Sequence, residues 1–69
     1  MKKIKVGQLW LRLNTSRPRV LEILETIHGN EIIPVRALAV DIATQEAFPI
    51  YHQKIIYNYK LVSGPSDED

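Results

Sequence analysis

The chain contains no cysteine in 69 residues. No disulfide framework, thiolate zinc site or thiol nucleophile is therefore available, and packing alone must hold the fold together. That demand is severe at this length, because a chain of about 60 residues buries only about 60% of the surface its unfolded form exposes. One small core is all it can build. A nucleotide-binding α/β fold or a barrel enzyme does not fit into a length of about two βαβ units. The apolar share of 45%, with 25% charged residues, belongs to a folded globular domain rather than a disordered chain. Within the apolar set, 17 Ile, Val and Thr stand against 12 Leu, Ala and Met, which tilts the reading toward strands.

The clearest local pattern is the alternation of residues 8–13. Leu9, Leu11 and Leu13 point one way, and Gln8, Trp10 and Arg12 the other, as in a half-buried strand whose leucines face the core. Asn14-Thr15-Ser16-Arg17-Pro18 ends it as a polar loop. Residues 19–27 fit either a strand or a helix started near Ser16 and Pro18 and stopped at Gly29. His28-Gly29-Asn30-Glu31 places Gly-Asn between two β-branched runs, a two-residue hairpin signal, so 19–27 and 32–40 are read as its arms. Pro34, which cannot donate to a ladder, marks an edge or a bulge. A turn at 41–45, a short strand at 46–50 and a closing strand at 58–62 follow. Residues 51–57 fit either a short helical turn or irregular chain. From Ser63 onward no apolar residue occurs, so residues 63–69 are expected to form a disordered acidic tail beyond a single domain of residues 1–62.

Five short strands in about 60 residues describe a mainly β, small five-stranded barrel or a strongly bent sheet, and closure would remove exposed edges. Val6-Gly7-Gln8-Leu9-Trp10, a basic loop, Arg19-Val20-Leu21-Glu22-Ile23 and a terminal Asn58-Tyr59-Lys60-Leu61-Val62 resemble small Src-homology-3-like barrel proteins of phages and bacteria, distant in function from the Tudor and KOW modules. The resemblance covers residues 6–62 through short motifs. It implies a barrel fold and carries no activity with it.

Charge narrows the partners. The net charge is +1, but Asp67, Glu68 and Asp69 close the chain, and residues 1–66 carry nine basic residues against five acids, or +4. A mimic of nucleic acid would need an acidic body, so that class is disfavoured. Lys5, Gln8 and Arg12 interrupt any signal-peptide core, no Ala-x-Ala site follows, and no run approaches 18 apolar residues; a mature, cytoplasmic protein with no membrane partner is expected.

Only His28 and His52 could serve as general bases, and nothing pairs either with a serine. Their spacing, with Asp41 or Glu46, matches no metal-ligand pattern. Gly7, Gly29 and Gly64 are isolated, so no phosphate-cradling loop is present. The chain is expected to be non-catalytic, with no metal and no cofactor.

The stronger constellation is basic and aromatic. Trp10 and Arg12 share a strand face, Arg17 and Arg19 flank Pro18, and Tyr51, Tyr57 and Tyr59 enlarge the aromatic set. Arg meets carboxylate or phosphate bidentately, and an exposed Trp anchors a partner or stacks on a base. Trp10, Arg12, Arg17, Arg19, Tyr57 and Tyr59 are the candidate binding residues, while Trp10 is equally a candidate to plug a core too small to close without it. The small size and modest charge favour a protein-interaction module, such as a phage-encoded modulator of a host protein, over a weak nucleic-acid binder that would use these arginines with Lys54 or Lys60. A marginal core and a short exposed edge are also compatible with a homodimer.

Overall fold

Alternating residues give the chain its strands, and the computed structural model, which describes residues 2–32 and 35–68, shows how they pair. β1 (Leu9–Arg12), β2 (Val20–Ile27), β3 (Arg36–Asp41) and β4 (Ala47–Tyr51) follow one another as an antiparallel meander. The helix α1 (His52–Asn58) then carries the chain across, and β5 (Tyr59–Ser63) pairs antiparallel with β1. The resulting single sheet has the order β4-β3-β2-β1-β5, with β4 and β5 as its two edges and α1 connecting them. Helix, rather than irregular chain, is therefore the outcome for the stretch before the last strand. Pro49 sits on edge strand β4, where a missing N–H is tolerated.

The face assignment of β1 is the reverse of the expectation. Gln8 and Trp10 are fully buried, while Leu9 and Leu11 are only half-buried and Leu13 is exposed. Register explains it, because directly opposed residues share a side of the sheet. Trp10 lies opposite Leu21 and Leu61, and Leu21 is itself a core residue; Leu11 lies opposite Val20 and Lys60, on the outer side. One large indole in the interior takes the place of three leucines. The rest of the core is Ile4, Leu21, Ile23, Ala37, Ala39, Ile50, Ile55 and Tyr59. The alanines of β3 leave room for the bulk that β1 and α1 contribute, as large facing small requires.

The hairpin of β2 and β3 forms, but not through a tight Gly-Asn turn. The ladder ends at Ile27 opposite Arg36, well short of Gly29-Asn30. A two-residue turn at Gly29-Asn30 would pair Ile23 with Arg36 and drive a guanidinium toward the core. The observed register pairs Ile23 with Ala39 instead. Neither Gly29 nor Asn30 has positive φ; the Asn30 side chain accepts a hydrogen bond from the Ile32 N–H at 2.8 Å, an Asx turn. Burial outweighed turn chemistry here. The expectation for Pro34 lies outside the described residues. Leu24 is the extra residue of a bulge between Ile23 and Glu25, which lets β2 bend while both halves stay paired.

The turn at 41–45 has the expected form. Asp41 Oδ1 accepts hydrogen bonds from the N–H groups of Ala43 at 2.9 Å and Thr44 at 3.4 Å, and the Asp41 N–H donates to the Glu46 carbonyl. Gln45 takes the left-handed conformation at φ 63°.

Residues 64–68, expected to trail free, run back along residues 3–8. The Lys3 N–H donates to the Asp67 carbonyl at 2.6 Å, and Gln8 Nε2 donates to the carbonyls of Pro65 at 3.0 Å and Lys3 at 3.1 Å. Gly64, at φ 97°, passes so close that a Cβ there would lie 2.6 Å from the Gly7 carbonyl oxygen. Absence of apolar side chains signalled a loose tail, but backbone carbonyls make these contacts, and composition does not report on them.

Candidate functional site

Beside α1 the sheet is open, and two clefts meet there. The first, about 240 Å³, is lined by Arg12 from β1, Arg19 just before β2, Phe48 to Tyr51 of β4, Lys54 and Asn58 of α1, and Tyr59. Three of these side chains are cations and none is a carboxylate. Antiparallel pairing brings Arg12 and Arg19 together across the intervening loop, where the Arg12 N–H donates to the Arg19 carbonyl at 2.8 Å.

Arg19 is held from two sides. Its Nε–H donates to Asp41 Oδ2 at 3.0 Å, and its guanidinium carbon stands 4.9 Å from the centre of the Phe48 ring. The carboxylate partner is itself fixed by the turn it caps. A guanidinium bonded through Nε and stacked on a ring keeps its η nitrogens in one orientation, so less entropy is lost when they meet an acid. Among the described residues, Arg12 and Lys54 form no ion pair, and both are exposed. They supply loosely tethered positive charge around one fixed arginine.

The second cleft, about 690 Å³, adjoins the first along the same helix. Its walls are Val35, Tyr51, His52, Gln53, Lys54, Tyr57 and Asn58. Tyr51, Lys54 and Asn58 belong to both clefts, so the two are halves of one groove. Tyr57 is 73% exposed and Tyr51 50%. Two unspent aromatic faces therefore line this half. Burial pushes the His52 imidazole below its ordinary 6.5, against a hydrogen bond with the Arg36 backbone that raises it. Its Nε2 is buried without a partner among the described residues. A neutral His52 adds nothing to the positive charge, which stays with Arg12, Arg19 and Lys54.

The candidate residues divide accordingly. Arg12, Arg19 and Tyr59 come together in the first cleft, with Tyr59 only 4% exposed. Tyr57 lines the second. Trp10 is withdrawn from the set, because at 0% exposure its ring is core and its indole N–H is spent on Gln8 Oε1 at 3.1 Å. Arg17 is exposed in the loop after β1 and lines neither cleft. Lys60 faces the outer side of the sheet, opposite Leu11. Phe48, Asp41 and Asn58 went unrecognised as site residues. Asp41 lies 22 positions from Arg19, and no local spacing rule joins them.

Among the described residues no group of three or more His, Asp or Glu side chains gathers, and no helix is long and apolar enough to cross a membrane. No protein-family model, curated protein or solved structure matches the chain. The chain is a small, mainly β domain of five antiparallel strands and one short helix, with a basic and aromatic groove beside that helix.

Proposed function

We propose that the chain is a small Src-homology-3-like barrel, open between β4 and β5, that works as a non-catalytic protein-interaction module, a role suited to a phage-encoded modulator of a host protein. The strand order, with a helical turn before the closing strand, supports the barrel reading. The observation that carries the function is the meeting of Arg12, Arg19 and Lys54 over Phe48 and Tyr59, with no carboxylate in the cleft wall. Such a site takes carboxylates presented by a protein surface. A nucleic acid would use the same cations. Arg19 is already paired with Asp41 and stacked on Phe48, which leaves Arg12 and Lys54, among the described residues, as the unpaired cations of the cleft; so modest a charge favours a protein over a phosphate backbone.

Titration of the full chain with a fluorescent acidic peptide and with a single-stranded oligonucleotide of equal charge, each at about 0.05 and 0.15 M salt, separates the two. The peptide should bind, and Arg12→Ala should weaken it by about tenfold, or about 1.4 kcal/mol. Tighter binding of the oligonucleotide at both salt concentrations would overturn the reading in favour of nucleic acid.

A further inference from the structure

The halves of the groove differ in chemistry while sharing a wall. One side gathers Arg12 and Arg19, the other Val35, Tyr51 and Tyr57, and Lys54 stands between them. A ligand made only of acids would leave the aromatic half empty, and one made only of apolar groups would leave Arg12 and Lys54 unanswered. We infer that the groove recognises an extended acidic segment of a partner protein that also carries one aromatic side chain, the carboxylates on Arg12 and Arg19 and the ring between Tyr51 and Tyr57. This inference rests on the protein-interaction reading and names the chemistry of the partner.

The two halves share Tyr51, Lys54 and Asn58 as walls. The aromatic residue should therefore lie within a few positions of the acidic pair. His52, in the same wall, is held toward its neutral form by burial and so adds no second charge to that of Lys54 where the ring enters. Recognition is thus divided, with charge complementarity setting orientation and the buried ring supplying most of the residence time.

Four fluorescent peptides titrated against the full chain by anisotropy test this. The first carries two adjacent glutamates with a phenylalanine three positions on, and the second replaces that phenylalanine with alanine. The third replaces the glutamates with glutamines, and the fourth moves the phenylalanine to eight positions away. The first should bind at least tenfold more tightly than each of the others, and Tyr57→Ala, at an exposed position that folding does not need, should erase its advantage over the second. Equal binding of the first and second peptides, or no effect of Tyr57→Ala, would overturn the inference and leave the interaction reading standing. Failure of every glutamate-bearing peptide would overturn that reading as well.

Discussion

Gln8 is the residue on which most separate segments depend. It is fully buried, its Oε1 accepts from the Lys5 N–H at 2.7 Å and from Trp10 Nε1, and its Nε2 donates to the carbonyls of Lys3 and Pro65. All four capacities of the amide are used. Gln8→Ala would orphan the Trp10 indole N–H in the core and the Lys5 N–H, and should cost about 2–4 kcal/mol, measured by urea denaturation. A loss no larger than that of an exposed change such as Lys54→Ala would show that water replaces the amide. Gly64→Ala should destabilise by more than about 2 kcal/mol, since φ 97° disfavours a side chain and the new Cβ would meet Gly7 and Gln8. His52 adds a pH dependence. Burial lowers its folded pKa below 6.5, so the unfolded chain binds that proton more readily. The associated stability is intact above 6.5 and is lost as pH falls through 6.5 toward the folded value. Denaturation midpoints should fall between about pH 7.5 and 5.5, and His52→Gln should remove that part of the slope.

The two central elements of the meander place burial where simple alternation does not. On β1 the even-numbered positions face inward, and on β2 a bulge at Leu24 changes phase partway. Ile23→Ala should therefore cost about 2–5 kcal/mol, as a fully buried side chain leaves a cavity. Leu11→Ala, on the half-buried outer side, should cost about 1 kcal/mol. Chemical denaturation of both variants decides it, and equal losses would mean that the leucine side of β1 is covered after all. The strands themselves were legible, as were the turn capped by Asp41 and a helical option for residues 51–57. The Gly29-Asn30 signal identified the right hairpin and the wrong loop, because turn preference is local while register answers to the apolar residues of both arms.

Across the whole molecule, residues 64–68 are packed at the Gln8 end of β1, whereas Arg12 opens onto the groove from its other end. Removing residues 64–69 should therefore lower stability through Gln8 and leave binding in the groove unchanged. Anisotropy with the acidic peptide and a thermal melt on the same truncated chain measure both, and tighter peptide binding after truncation would mean that the acidic residues reach the groove. By itself, the sequence determined that the chain must build one small core by packing alone, that strands dominate, where most of them run, and that positive and aromatic side chains form its distinctive set. Those properties follow from composition and from spacing within a few residues. Only the tertiary structure decided that Trp10 is core rather than surface, that Arg19 is held by Asp41 and Phe48, and that Arg12, Lys54 and Tyr57 border one groove. Each of these is a choice between alternatives with the same local pattern, and it is settled by pairing and burial between residues far apart in the chain.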